Sequence, residues 1–299
     1  MEIVNLKSPF DELKLETAVF VPKNTPKAII QFSHGMSEHK ERYFDFINYL
    51  SDNGYVCVIN DHRGHGASVR EKGDYGYFYT NDESAIVEDL HTVTEYIKNR
   101  FPGIPLFIFS HSMGTLVVRN YMKKYDDEIS KVVLCGPPTE NSSVNLGLRL
   151  AKISGHFHKE KAPNHMLNNA TFNGYNGKSD VPNSWISNNK QNVEKYNNDK
   201  KCGFVFTTNG FVNLFKLQKE AFNKQNWNPH NKSLPVFVIA GKDDPVIQSE
   251  KKFDKLIKFL KEVGYTNVSE KLYENKRHEI LNETDNAEVY ADVLSFFES

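Results

Sequence analysis

A serine, an aspartate and a histidine, in that chain order, carry the residue types that nucleophilic acyl transfer needs. Ser112 lies in Leu106-Phe-Ile-Phe-Ser-His-Ser-Met-Gly-Thr-Leu-Val-Val118, a small-x-Ser-x-small sequence flanked by Ser110 and Gly114. Four apolar residues that favour a strand precede it, and an apolar-periodic segment continues through Tyr121, so the local reading is strand, sharp turn, helix. Such a turn forces the serine into a strained backbone position with its hydroxyl above the sheet, and small neighbours avoid clashes. Gly241-Lys-Asp-Asp-Pro-Val246 then places two carboxylates, Asp243 and Asp244, in a loop after a strand. His278 follows in the loop after Asn267-Val-Ser-Glu-Lys-Leu-Tyr273, and of the eleven histidines it alone has this placement. In that order the serine attacks a carbonyl carbon, the imidazole takes its proton and passes it to the leaving group, and a carboxylate holds the imidazolium in place.

The tetrahedral intermediate of acyl transfer carries negative charge on one oxygen, and each backbone N–H aimed there contributes about 3–4 kcal/mol. The His34-Gly35 turn after the strand ending at Phe32 can present one such donor, so the backbone N–H groups of Met36 and of Met113 are the expected oxyanion hole. Asp61-His-Arg-Gly-His-Gly-Ala-Ser68 follows the next strand, and its charged residues are expected to support the first loop. His62 and His65 lack the third ligand that a metal site needs.

The elements that must position these groups alternate in type. Thr17–Val21, Ala28–Phe32, Tyr55–Ile59, Lys131–Cys135 and Pro235–Ala240 read as short buried strands, and Tyr43–Asn53 and Glu83–Arg100 as helices. Near-continuous apolar strands alternating with helices imply a mostly parallel sheet covered on both faces, with ligands at the carboxyl ends of the strands. Phe253–Leu260 and Ala287–Phe297 read as amphipathic helices that flank the sheet. The chain has 299 residues, 39% hydrophobic and 12% aromatic, enough for one large α/β domain with an insertion. Its 37 basic and 38 acidic residues leave a net charge of −1, which argues against a nucleic-acid partner. The first ten residues carry acid early and no apolar core of a signal sequence, and no run reaches membrane-spanning length, so a soluble cytoplasmic protein is expected. Cys57, Cys135 and Cys202 are far apart, without Cys-x-x-Cys spacing, and read as apolar fillers. No metal and no cofactor are expected.

The chain resembles the monoacylglycerol lipase and lysophospholipase branch of the α/β-hydrolase superfamily. The resemblance rests on His-Gly-x-x-Glu-His-x-x-Arg-Tyr at His34–Tyr43, Asp-His-x-Gly-His-Gly-x-Ser at Asp61–Ser68, and His-Ser-Met-Gly at His111–Gly114. It continues with Gly-x-x-Asp at Gly241–Asp244 and Arg-His-Glu-x-Leu-Asn-Glu at Arg277–Glu283, so it spans most of the chain. It departs at Ser110, where the family has glycine, and at Asn275-Lys276, where smaller residues are common. The resemblance implies an α/β-hydrolase fold, a catalytic set of Ser112, Asp244 and His278, with Asp243 as the fallback acid, and a cofactor-free serine carboxylic-ester hydrolase acting on singly acylated lipids. It also implies a cap. Residues 138–228 break the strand-helix alternation and are expected as a cap or lid inserted between core segments 1–137 and 229–299. Within it, Val144–Ile153, Phe204–Phe206 and Phe211–Leu217 concentrate apolar residues that can line an acyl tunnel, pack the cap onto the core, or do both. The expected partner is an acyl-ester lipid, met through a transient contact of the cap with membrane or micelle. Monoacylglycerol is the first expectation, lysophospholipid the second. A short-chain carboxylesterase or thioesterase, an aminopeptidase of related fold, and a ligand-binding sensor that keeps the fold without turnover remain open. Epoxide hydrolase and dehalogenase chemistry are disfavoured, because they use an aspartate where Ser112 stands.

Overall fold

The computed structural model describes residues 1–157 and 160–299. One sheet organises it. Eight strands, β1 (Glu2–Lys7), β2 (Lys14–Phe20), β3 (Ala28–Ser33), β4 (Tyr55–Asn60), β5 (Leu106–His111), β6 (Lys131–Cys135), β7 (Val236–Gly241) and β8 (Val268–Tyr273), lie in the order β1-β2-β4-β3-β5-β6-β7-β8. β2 pairs antiparallel with both β1 and β4, and every pairing from β4 through to β8 is parallel.

The central strands bury both faces, and their side chains alternate between two layers. Ile108, Val132, Leu134, Val236 and Val238 pack with α2 (Ser84–Arg100), α3 (Met113–Tyr125) and α8 (Glu250–Glu262). Phe107, Phe109, Val133, Cys135, Phe237 and Ile239 pack with α1 (Phe44–Asp52) and α9 (Ala287–Glu298) on the other side. This is the mostly parallel sheet, covered on both faces, expected from the alternation of apolar strands and amphipathic helices, and it is the α/β-hydrolase architecture that the family resemblance implies. The order β4-β3-β5 places β3 beside β5, so the loop after β3 and the turn after β5 open at the same end of the sheet.

Residues 138–228, between β6 and β7, contain α4 (Val144–Phe157), α5 (His165–Phe172), α6 (Lys190–Asn198) and α7 (Thr208–Ala221). Of the apolar stretches seen in the sequence, Val144–Ile153 falls on α4 and Phe211–Leu217 on α7, whereas Phe204–Phe206 lies in the loop before α7. α5 and α6 are short, eight and nine residues, and each begins on a side-chain cap. Asn164 accepts from the Leu167 N–H at 3.0 Å, and Asn189 accepts from the Gln191 and Asn192 N–H groups. β1 likewise was not expected. It is an edge strand whose residues are exposed or half-buried, so no buried face marks it in the sequence. Among the described residues no helix is long and apolar enough to cross a membrane.

Candidate active site

β5 delivers Ser112 into a tight reversal before α3. Ser112 has φ 51° and ψ −121°, a conformation that costs a non-glycine residue about 1–3 kcal/mol. Its surroundings hold it there. The Ser112 N–H donates to Cys135 O at 2.9 Å, and the Thr115 N–H and hydroxyl donate to Ser112 O at 2.9 and 2.8 Å. Gly114 is required by contact rather than by torsion, since a Cβ there would lie 2.1 Å from Ser33 O. Ser110 is tolerated in place of glycine because its hydroxyl fits in the core and donates to Val133 O at 3.0 Å.

The loop after β3 is shaped by buried histidine and glutamate. His34 Nδ1 lies 2.8 Å from Gly35 O and Nε2 accepts from the His62 N–H at 2.9 Å, so this imidazole is neutral. Burial pushes it down to about 4. Glu38 Oε1 accepts from the Gly35 N–H at 2.5 Å and from the Tyr43 hydroxyl at 2.8 Å. A Cβ at Gly35 would lie 2.4 Å from that same oxygen and 3.1 Å from Ser112 Cβ, so only glycine lets Glu38 and Ser112 close over this turn. The next peptide carries Met36, whose N–H meets no protein acceptor among the described residues. Met113 is the first residue of α3, so its N–H has no intrahelical acceptor. Asp61 ties the loop down from the side by accepting from Lys40 N–H at 2.8 Å, Lys40 Nζ at 2.7 Å and Ala67 N–H at 2.8 Å.

His278 Nδ1 lies 2.8 Å from Asp244 Oδ2, with both side chains buried. The other Asp244 oxygen accepts from the Val246 N–H at 2.8 Å, which fixes the carboxylate's orientation. Asp243 is exposed and does not reach the imidazole, so of the two carboxylates it is Asp244 that pairs with His278. Two glycines leave room for this pair. Gly241 lets the histidine loop pass the end of β7, where a Cβ would lie 2.2 Å from Arg277 O, and Gly136 (φ 55°) lies beneath the ring, where a Cβ would stand 3.1 Å from His278 Nδ1. The loop is also held from the 138–228 segment. Glu283 accepts from Arg277 N–H at 2.9 Å and from the Ser187 hydroxyl at 2.7 Å, and the Glu279 N–H donates to Ile186 O at 2.7 Å.

Met36, Ser112, Met113 and His278 all line one cavity of about 410 Å³. Its far walls come from α4, α5 and α7, including Leu146, Leu150, Leu167, Leu214 and Phe215, with the Trp185 ring centred 5.1 Å from the His278 ring and tilted 38° to it. Phe206, Phe211 and Leu217 of the same apolar stretches are instead buried in the core, so these stretches both line the cavity and pack the segment down. The sequence reading did not single out Glu38, His111, Gly136 or Glu283. Glu283 closes the Arg-His-Glu-x-Leu-Asn-Glu motif, but its contact with Ser187, like that of Gly136 with His278, joins segments more than 90 residues apart and emerges only once the chain is folded. Among the described residues His39, Asp199 and Cys202 come close enough to share an ion, but His39 already bonds Glu41 and Asp199, and burial pushes the Cys202 thiol up, away from the thiolate a metal needs.

The family described as serine aminopeptidase, S33, matches residues 24–285. The chain belongs to this hydrolase family. It is 26% identical over 286 residues to a monoacylglycerol lipase of Mycolicibacterium smegmatis, covering 94% of this chain and 91% of that one. It is 27% identical over 281 residues to a monoglyceride lipase homolog of Monkeypox virus, covering 93% and 90%. Its fold superposes with a TM-score of 0.90, at 25% identity and over 99% of this chain and 97% of the other, on a thermostable carboxyl esterase from Bacillus coagulans crystallised with glycerol. Within the S33 family the chain keeps the α/β-hydrolase core, with the cavity at the carboxyl ends of β3 and β5.

Gly136→Val tests how the His278–Asp244 pair is housed. The added side chain should displace the ring, so the strongly deshielded Nδ1 proton of a histidine–carboxylate bond, visible by ¹H NMR in the parent protein, should disappear while the fold is kept. An unchanged resonance would show that Gly136 does not shape the pair.

Proposed function

We propose that this protein is a serine hydrolase that cleaves the carboxylic ester of singly acylated lipids, with monoacylglycerol as the preferred class. Ser112 attacks the ester carbonyl, His278 accepts its proton and returns it to the departing alcohol, and Asp244 orients and stabilises the imidazolium. The N–H groups of Met36 and Met113 stabilise the oxyanion. Water then attacks the acyl-enzyme by the same route in reverse. The observation that carries this reading is a strained serine in the same cavity as a histidine hydrogen-bonded to a buried aspartate. The relatives named as monoacylglycerol lipases support the choice of substrate.

In this reading residues 138–228 form a cap over a core of 1–137 and 229–299. The cap's apolar wall holds one acyl chain and excludes water from the intermediate. On α4, Leu146, Leu150 and Ile153 are 59%, 40% and 57% exposed, at a spacing that puts them on one strip. Leu146 and Leu150 also line the cavity, so the strip leads from outside to the acyl wall. We assign it to transient contact with the membrane or micelle that carries the substrate, flanked by the cationic Arg149. Three unpaired cysteines fit a cytoplasmic setting.

The test is kcat/KM for monoacylglycerols and lysophosphatidylcholines of matched chain length. Rates should climb by about four-fold per methylene while the tunnel fills, which corresponds to about 0.8 kcal/mol each, and the glycerol esters should lead. Ser112→Ala should lower kcat by about 10⁶. Lysolipids leading would assign the head group differently, and two flat, slow series would remove the acyl tunnel in favour of short esters or a sensor.

Ile153→Glu should slow hydrolysis of vesicle-borne substrate and leave a water-soluble short-chain ester untouched. Equal effects on both would place the α4 strip outside lipid contact.

A further inference from the structure

His111 ends β5 beside Ser112, and the chemistry proposed above gives it no part. Its ring is buried. Nδ1 stands 3.2 Å from Glu38 Oε1, and Nε2 stands 3.2 Å from the backbone oxygen of His278. A carboxylate and a carbonyl only accept hydrogen bonds, and a neutral imidazole carries a single N–H. Both contacts are satisfied together only when both ring nitrogens carry a proton.

We propose that His111 is held as an imidazolium that fastens the backbone of His278 to Glu38, and so acts as the positioning residue that sets the base and the oxyanion loop at their working separation around Ser112. This inference rests on the serine-hydrolase reading. Glu38 is the other half of the link, because the oxygen that meets His111 also accepts from the Gly35 N–H, one peptide before the proposed oxyanion donor Met36. Movement of either end therefore reaches the other through one ring.

The charges around the ring favour the cation. From the loop after β3, the Glu38 carboxylate bonds it, the Tyr43 ring lies 6.3 Å away, and Arg42 pairs with Glu38 at 3.4 Å. From the loop after β8 come Glu279, which the same Arg42 also pairs, and the His278 ring at 4.5 Å. From β6 comes Cys135, the strand partner of His111, whose thiol burial keeps neutral. Burial opposes a charge on His111, yet the hydrogen bond and attraction of Glu38, with a further pull from Glu279, raise its pKa above the ordinary value. Burial opposes the Glu38 charge as well, and there His111 and Arg42 prevail and hold the carboxyl well below the usual carboxylate range. The sign follows. A histidine whose folded pKa is raised contributes fully below its unfolded value of about 6.5, and the contribution is lost as pH rises through the folded value. Above that point one of the two bonds must break, so the link opens on the alkaline side.

The direct test is ¹⁵N NMR of the histidine-labelled protein without substrate, with His111 assigned by His111→Phe. Both His111 nitrogens should report the protonated form at neutral pH and lose one proton in a single step on the alkaline side, and in Glu38→Gln that step should move to lower pH. His111→Phe keeps the ring volume and removes both donors. It should lower kcat on the preferred ester by about 10–100-fold with KM changed less than about two-fold, and the alkaline step should vanish from its kcat profile. A neutral His111 tautomer at neutral pH would overturn the proposal, as would a His111→Phe enzyme with undiminished kcat. If the parent protein hydrolyses no ester, the serine-hydrolase reading falls. The NMR titration then still decides the imidazolium, and the deshielded His278 proton in folded His111→Phe, lost or retained, decides the positioning role.

Discussion

The constraint on which the rest depends is the reversal at Ser112. A non-glycine residue at φ 51° is unfavourable alone, and it persists because three neighbours remove the alternatives. β6 takes its N–H, Thr115 takes its carbonyl, and Gly114 brings the start of α3 against the end of β3 with no space for a methyl group. This close approach also sets the distance between Ser112 and the loop after β3. The order β4-β3-β5 in the sheet thus becomes the adjacency of a nucleophile candidate and two backbone donors.

The second half of the site is built by different means. His278 and Asp244 sit in loops after β8 and β7, and their pairing needs space more than strain: Gly241 and Gly136 supply it. The histidine loop is then anchored outward by Glu283, through residues of the segment between β6 and β7. That segment therefore contributes to the placement of His278 as well as to the walls of the cavity.

Much of this was legible in the sequence because it depends on local signals. Buried parallel strands read as apolar runs, the small-x-Ser-x-small turn marks its own backbone reversal, and the chain order of Ser112, Asp244 and His278 follows from strand order. What was not legible depends on contacts distant in sequence or on weak patterning. Residues alone left Asp243 and Asp244 equal. Folding buries one and exposes the other, and the family resemblance had pointed to the buried one. β1 lacks a buried face, and α5 and α6 are only eight and nine residues long, so each offered too short a pattern to be read from the sequence. Glu38 and His111 lay within recognised motifs, yet their link appears only when β3, β5 and the loop after β8 meet.

The central claim is that Ser112 carries the acyl group during turnover. Rapid acid quench of the enzyme with a long-chain monoacylglycerol, followed by peptide mass mapping, tests it most directly. The account predicts an acyl mass increment on the peptide containing Ser112 during turnover, and none in His278→Ala. An increment on another residue, or steady ester cleavage with no acylated peptide at any quench time, would contradict it.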